Sequence, residues 1–346
     1  MRILHYVHNY GGFSGATNQA INLSKELSDL NCTSQFVSEK NSKNTNDYEL
    51  ECKFLTSGIF GLLQFLRLLL SFKPDIVHFH GASFKYLIVS SLFSKVYWKT
   101  TLYGNDDFKT LTYGNGLKGW IKKKMIPLID KNNSLTAQNK DVNRVFLDEG
   151  KIVTIPNGVY FDDSLVCEKE KIVLIIAAVI PRKRVLESIL FFKNNFEENG
   201  YTLFIIGPFG DANLHGADLS YSQVCRRYAS ERIVFTGMIK PDDVKAFLTK
   251  SMYLILFSVS EGLPNVVLEA LSHGVFPILT SIGGVSAEVI TEDDFGIIIG
   301  EADIQQVLEI PPHTGRTFEA CREIAKSRYS MDIIAKDTYD IYKAMQ

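Results

Sequence analysis

Short apolar runs alternate along the whole chain with longer stretches of helical period. The runs at residues 2–8 and 172–179 have the length of buried strands, whereas residues 17–30 and 59–72 repeat apolar positions every three or four residues. This alternation predicts an α/β protein, because parallel strands need crossover connections that are usually helices. A chain of 346 residues is long for one core. We therefore predict two doubly wound, Rossmann-like domains that face each other across a cleft.

The domain boundary is predicted where Pro156-Asn-Gly158 ends a strand and residues 160–169 show no periodicity. The first domain then covers residues 1–160, and the second covers residues 161–328. Residues 329–346 form an amphipathic helix at the end of the chain.

The composition is that of a globular cytoplasmic enzyme. Hydrophobic residues make up 46% of the chain and charged residues 22%, which excludes an intrinsically disordered protein. The five cysteines form no C-x-x-C pair, so neither a disulfide framework nor a zinc site is expected. The longest apolar segment, residues 59–72, contains Gln64 and Arg67 and is shorter than the roughly 20 residues that span a bilayer. The first residues lack the continuous apolar core of a signal peptide.

The charge is divided unequally between the two halves. The whole chain carries −2, whereas residues 1–160 carry +6 and residues 161–346 carry −8. This asymmetry favours an acidic partner for the first half, with an anionic membrane or a polyphosphorylated acceptor as alternatives. Nucleic acid is not expected, because no nucleic-acid-binding module is recognisable.

The stretch from Ser258 to Pro277 carries the most specific chemistry. Gly262 and Pro264 mark a tight turn, and Pro264 suits the first helical position, where its missing N–H is not needed. The helix that follows is apolar except for one stripe that holds Glu269, and Glu261 lies in the turn before it. The N–H groups at the start of such a helix favour a diphosphate, and the two carboxylates suit hydroxyls on either side of it. An ordinary amphipathic helix is the alternative.

The segment Glu261-Gly-Leu-Pro-Asn-Val-Val-Leu-Glu269 resembles the Glu-x7-Glu motif of retaining, GT-B-type glycosyltransferases of family four. The resemblance extends to Thr280-Ser-Ile-Gly-Gly284 and is traceable over most of the chain. It implies that Glu261 lies beside the donor sugar and that Glu269 holds the nucleotide ribose. It also implies a donor-binding second domain, an acceptor-binding first domain and a last helix that crosses back to the first domain. The residues expected to line the donor between the two carboxylates are Gly262, Leu263, Pro264 and Asn265.

A cationic turn, Pro181-Arg-Lys-Arg184, follows the first strand of the second domain. In the family, a lysine here and an arginine six residues before it clamp the donor diphosphate. Lys183 matches the lysine, but Ala177 occupies the arginine position, so Arg182 or Arg184 is expected to substitute. We predict that Lys183 stabilises the leaving group electrostatically. The chain has no D-x-D pair, so a metal-bound diphosphate is not implied, and no cofactor is expected besides the nucleotide-sugar co-substrate.

Three glycines are further candidates for close approach to the donor. Gly12 and Gly15 lie in the loop after the first strand, and Gly207 follows the strand at residues 202–206. The first loop lacks the spaced G-x-G-x-x-G fingerprint, which argues against a dinucleotide site, and a plain tight turn is the alternative. The family resemblance favours the donor or acceptor role.

His78 and His80 alternate on a predicted buried strand at residues 74–81 and therefore share one face. A metal pair is one interpretation, but no third ligand is evident, and His78 is expected to be a hydrogen-bonded core histidine. His80 is the functional candidate, because it ends the strand where open α/β sheets bind ligands. Tyr103 stands where many relatives carry a histidine that contacts the transferred sugar, and a tyrosine is a poor proton shuttle at neutral pH. Asp106 is predicted to contact the sugar or the acceptor.

A basic helix is predicted over residues 116–126. It combines apolar side chains such as Trp120 and Ile121 with a lysine cluster, Lys118, Lys122, Lys123 and Lys124. Such a helix either lies on an anionic membrane or packs its apolar side on the core, and the sequence leaves both open.

We therefore expect a retaining, metal-independent hexosyltransferase that uses a UDP- or GDP-sugar and a glycan or lipid-linked acceptor. Cell-surface polysaccharide synthesis at the inner face of the cell membrane is the expected setting. A sugar-nucleotide epimerase of the same architecture and a non-catalytic nucleotide-sugar-binding protein are the alternatives.

Overall fold

A computed structural model describes residues 1–10, 15–41, 50–81, 83–100, 108–112, 116–166, 168–210, 216–282 and 285–346. The chain forms two compact units. Unit 1 comprises Met1–Gly158 and Met331–Gln346, and unit 2 comprises Val159–Ser330. These limits lie two residues from the predicted domain boundaries.

The strands, in chain order, are β1 (Arg2–Tyr10), β2 (Thr33–Asn41), β3 (Cys52–Phe54), β4 (Ile76–Phe79), β5 (Lys95–Thr100), β6 (Lys131–Ser134), β7 (Ile152–Val153), β8 (Glu170–Ile176), β9 (Thr202–Ile206), β10 (Ile233–Gly237), β11 (Ser251–Leu256), β12 (Phe276–Thr280) and β13 (Ile297–Ile299).

The helices are α1 (Gly15–Asp29), α2 (Gly58–Phe72), α3 (Phe84–Phe93), α4 (Phe108–Thr112), α5 (Gly116–Met125), α6 (Ala137–Asn143), α7 (Val185–Phe192), α8 (Leu219–Arg226), α9 (Pro241–Lys250), α10 (Asn265–Ser272), α11 (Val285–Val289), α12 (Gly315–Tyr329) and α13 (Met331–Met345). Among the helices of the described residues, none is both long and apolar enough to cross a membrane.

Each unit is built on one parallel sheet. Within the described residues, unit 1 has the strand order β3-β2-β1-β4-β5-β6-β7, and unit 2 has the order β10-β9-β8-β11-β12-β13. In both sheets, the first three strands in chain order extend from the centre to one edge, and the later strands extend from the centre to the other edge. The strand order therefore reverses between β1 and β4 and between β8 and β11. The prediction of two doubly wound, Rossmann-like domains is confirmed. Such a reversal opens a crevice at the carboxyl ends of the two central strands, where these folds bind ligands.

The sheet of unit 1 is covered on both faces, because alternate side chains of a strand point in opposite directions. Ile3 and Tyr97 pack with the helices α1 and α13. Leu4 and Trp98 pack with α2 and α3 on the other face. The last helix, α13, contacts α1 and is therefore part of unit 1.

The sheet of unit 2 has fully buried central strands. Val173 and Leu174 of β8, and Leu254 and Ile255 of β11, are completely shielded from solvent. Strands buried on both faces read as continuous apolar runs, which is why these segments were recognisable in the sequence. A rigid pair of central strands positions the two loops that follow them.

Candidate functional site

The loops at the carboxyl ends of β8 and β11 meet at the reversal point of unit 2. The loop after β8 enters a 3-10 turn at Pro181–Lys183, and the loop after β11 enters α10. The amide of Val259 donates a hydrogen bond to the carbonyl of Arg182 at 2.9 Å, and the Arg182 guanidinium donates to the carbonyl of Ser260 at 2.6 Å. These bonds hold the cationic turn against the acidic turn.

Lys183 and Glu261 form an ion pair at this junction. Their side chains are only 16% and 13% exposed, so the pair is screened less than a surface pair. Nη1 of Arg182 lies 3.6 Å from the same carboxylate oxygen. Two cations therefore share one carboxylate, and the positive charge left over suits a diphosphate.

Arg182 and Arg184 were the two candidates to replace the family's arginine, and only one of them lies beside the Lys183–Glu261 ion pair. The guanidinium of Arg184 instead hydrogen-bonds to both carboxylate oxygens of Glu301, at 2.7 and 2.6 Å. The backbone of Arg184 is left-handed, with φ of 47°, so its side chain points in a different direction from that of Lys183. Arg182 is the arginine that the fold places beside Lys183.

Helix α10 begins at Asn265, one residue later than predicted. Pro264 is its N-cap, with a non-helical ψ of 99°, so the prediction that Pro264 occupies the first helical position is wrong by one residue. Leu263 and Pro264 are buried, whereas Gly262 and Asn265 are half-buried. This turn carries the chain from Glu261 into the helix that holds Glu269.

Glu269 is half-buried on α10, and the loss of hydration raises the pKa of its carboxyl to about 7. In the part of the chain that the structure describes, no residue donates a hydrogen bond to this carboxylate or forms an ion pair with it. A shielded carboxylate without a protein partner is costly for the fold, and such groups concentrate at ligand sites.

The candidate glycines differ in what the structure shows of them. Gly207 has φ of +146°, and a Cβ there would lie 2.2 Å from the carbonyl oxygen of Ala177, so its close approach is to backbone. Gly15 is exposed and begins α1. Gly12, Tyr103 and Asp106 lie outside the described residues.

In unit 1, His5, His78 and His80 form a buried cluster. Nδ1 of His5 is 3.0 Å from Nε2 of His80, and the Tyr342 hydroxyl is 2.5 Å from Nδ1 of His78. The prediction that His78 is a hydrogen-bonded core histidine is confirmed. No third ligand was evident from the sequence, but the structure supplies one in His5, because one nitrogen from each of the three rings lies within 4.8 Å of the others. His5 pairs with His78 across the neighbouring strands β1 and β4.

A neighbouring positive charge opposes a metal ion in this cluster. Burial holds the pKa of each imidazole well below its usual range, that of His5 at about 3, so all three rings are neutral. The nearby Lys99 ammonium adds to this shift for His78 and His80. A dication would be placed beside that ammonium, and the cluster supplies no carboxylate to balance it. His80 was predicted to end the strand, but it lies one residue beyond β4, and only 5% of it is exposed.

Lys99 lies beside this histidine cluster and was not predicted from the sequence. Its ammonium donates a hydrogen bond to Oδ1 of Asn157 at 2.6 Å, and the loss of hydration lowers its pKa to about 8. Lys99 lies near the end of β5, after three buried residues. A lysine inside an apolar run was the signal that could have identified it.

Comparison with solved structures agrees with this architecture. HepE of Anabaena, solved in complex with UDP-glucose, superposes with a TM-score of 0.76 over 99% of this chain and 100% of that chain, at 12% sequence identity. At that identity the likeness shows the fold alone. The two units have the GT-B fold of glycosyltransferases.

Within that fold, residues 159–310 match the family described as glycosyl transferases group 1. N-acetyl-α-D-glucosaminyl L-malate synthase of Bacillus anthracis is 26% identical over 260 residues, which cover 68% of this chain and 64% of that protein. An α-1,4-N-acetyl-D-galactosaminyltransferase of Campylobacter jejuni, named for a diphospho-undecaprenol-linked substrate, is 27% identical over 188 residues, or 52% of this chain and 49% of that protein. The chain thus spans less than two thirds of the length of these curated relatives. The cationic turn and the acidic turn both lie within the residues of unit 2 that match this family.

Proposed function

We propose that this protein is a retaining glycosyltransferase that moves a hexose-type sugar from a UDP- or GDP-sugar to a glycan or lipid-linked acceptor. Unit 2 binds the donor, and unit 1 binds the acceptor. The observation that carries this proposal is the contact between the cationic turn and the acidic turn at the reversal point of unit 2, inside the residues that match the glycosyltransferase family.

Each group of this site has a distinct role in the proposed reaction. The bond between the sugar and the distal phosphate breaks, and Lys183 with Arg182 stabilises the charge that develops on the leaving diphosphate. Glu269 accepts hydrogen bonds from the ribose hydroxyls, and Glu261 orients a hydroxyl of the donor sugar. The acceptor hydroxyl attacks the face from which the phosphate leaves, and its proton passes to a phosphate oxygen. This route uses no metal-bound diphosphate.

The setting we propose is cell-surface polysaccharide synthesis at the inner face of the cell membrane. Its support is the name of the Campylobacter relative, whose substrate is a polyprenol-linked diphosphate, together with the positive charge of the first half of the chain. A lipid-linked acceptor stays in the bilayer, so a protein that uses one has to work at the membrane surface.

A donor-panel experiment tests the proposal. A UDP- or GDP-sugar at about 100 times its Kd should stabilise the protein by about 2.7 kcal/mol and raise its Tm, whereas an ADP-sugar should not. The stabilising donor is then incubated with and without membrane extract. Transfer of labelled sugar to the extract supports the proposal. Isomerisation without extract indicates an epimerase, and binding without turnover indicates a binding protein.

A further inference from the structure

Three helices on one side of unit 1 expose an unusual amount of apolar surface. The helices α2, α3 and α5 neighbour one another in that order and pack inward on the same core. In the described part of the chain, their 35 residues carry ten of the 22 exposed large hydrophobic side chains. The most exposed member of each helix is Phe60, Leu92 and Leu117, at 71%, 73% and 72%. Soluble proteins rarely leave so much apolar surface unpartnered. We call the outward side of these three helices the docking face.

The structure also decides between the two alternatives for α5. Gly119 is the one residue of this helix that is buried, whereas Trp120 and Ile121 are exposed to solvent. Met125 at the end of α5 packs on the core, whereas Trp120 and Ile121 do not. They extend the docking face, and Nζ of Lys124 lies 5.8 Å from the centre of the Trp120 ring.

All formal charge on these helices is positive. They carry six basic residues and no acidic one, namely Arg67 on α2, Lys85 on α3 and Lys118, Lys122, Lys123 and Lys124 on α5. On α2, Phe60, Leu63, Arg67 and Leu70 follow one another at helical spacing and are all exposed. Long basic side chains keep their charge in the headgroup region while their stems and neighbours contact apolar groups.

We propose that the docking face binds an anionic lipid bilayer, with α2 and α3 as its apolar contact and α5 as its electrostatic contact. Only the purpose of this membrane contact rests on the proposed function, since the contact would bring the active site to a lipid-linked acceptor. Lys85 already pairs with Glu39, which leaves Arg67 and the four lysines of α5. A second copy of the chain suits this face poorly, because a two-fold contact would bring these cations of one copy against those of the other. Anionic headgroups neutralise them instead.

The experiment measures co-sedimentation of the full chain with vesicles, without donor or acceptor. Wild type should bind phosphatidylcholine vesicles that contain phosphatidylglycerol, and part of the binding should survive high salt. Lys122→Ser, Lys123→Ser and Lys124→Ser together should weaken binding about 100-fold at low salt and reduce its salt dependence. Phe60→Ser, Leu63→Ser and Leu92→Ser together should weaken it at least about tenfold at low and high salt alike.

Two control variants match these changes. Lys25→Ser, Lys336→Ser and Lys343→Ser remove the same charge from α1 and α13, which cover the opposite face of the sheet. Val307→Ser removes an apolar side chain that is 77% exposed in unit 2. Both should bind vesicles as wild type does.

Three results would overturn the inference: no binding by wild type, undiminished binding by the apolar variant, or a wild-type dimer that the apolar variant dissociates in sedimentation. Transfer to a water-soluble acceptor analogue is measured on the same variants and should be unchanged. That assay reports the proposed function independently, so the two proposals fail separately.

Discussion

Replacing Lys183 with methionine should lower kcat by a factor of about 10² to 10³, with a smaller effect on the KM for the donor. The Lys183 ammonium lies at the carboxyl end of β8, next to Glu261 and with little exposure to water. In such a setting a charge acts strongly on the negative charge that develops as the diphosphate leaves. Methionine retains an unbranched stem, and Arg182 still lies 3.6 Å from the Glu261 carboxylate, so the fold should survive. Steady-state kinetics with the donor from the thermal-shift panel gives both constants, and circular dichroism checks folding.

Arg184→Met is the matched control for that variant. It removes a cation one residue away, but this cation pairs with Glu301 rather than with the acidic turn. Its kcat should stay close to that of wild type. If Lys183→Met turned over at the wild-type rate, Arg182 or backbone N–H groups would have to stabilise the leaving group, and the role assigned to Lys183 would be wrong.

The sequence predicted the parts of this protein that depend on local pattern. The buried strands β8 and β11 are continuous apolar runs, and the turns that carry Lys183 and Glu261 follow them directly. Because the carboxyl ends of neighbouring parallel strands lie at one edge of the sheet, turns far apart in sequence become neighbours. The family resemblance implied that Lys183 and Glu261 both lie at the donor, and this geometry explains how two residues 78 positions apart can meet.

The sequence did not predict contacts that depend on strand register or on the direction of a helix face. His5 joins His78 and His80 because β1 pairs with β4 in one particular register, which no spacing rule reveals. Arg184 and Glu301 are 117 residues apart and pair because the segments that follow β8 and β13 meet in the folded unit, which no local pattern reveals. The period of α2 showed an apolar helix, but its sequence contains more apolar residues than the core accepts. Which of them face outward is decided by how α2 packs beside α3.

Replacing Glu269 with glutamine should weaken nucleotide binding and stabilise the free protein. The folded protein holds the pKa of this carboxyl at about 7, above its usual value near 4.5. The folded state therefore binds this proton more tightly than the unfolded chain does, and stability is lost as the pH rises from about 4.5 through 7. Glutamine removes that loss, so the free energy of unfolding of the variant should exceed that of wild type by roughly 1–3 kcal/mol at pH 8 and by much less at pH 5. Thermal unfolding at both pH values measures the difference.

Nucleotide affinity should change in the opposite direction. Losing a charge-assisted hydrogen bond to the ribose costs roughly 1–3 kcal/mol, which is about 5- to 150-fold in Kd for the donor and the free nucleotide diphosphate alike. Since the carboxylate is the better acceptor, wild-type affinity should rise with pH through about 7. The ratio of wild-type to variant affinity isolates this effect, because the titration of the nucleotide itself cancels.

Glu292→Gln, which neutralises an exposed carboxyl of the same unit, is the control and should change neither quantity. The combination of higher stability and weaker binding is what separates a ligand-holding carboxylate from a structural one. A structural carboxylate would lower the Tm when replaced and leave calorimetric nucleotide affinity unchanged. That outcome would remove Glu269 from the donor site and leave the ribose to be held by other residues of unit 2.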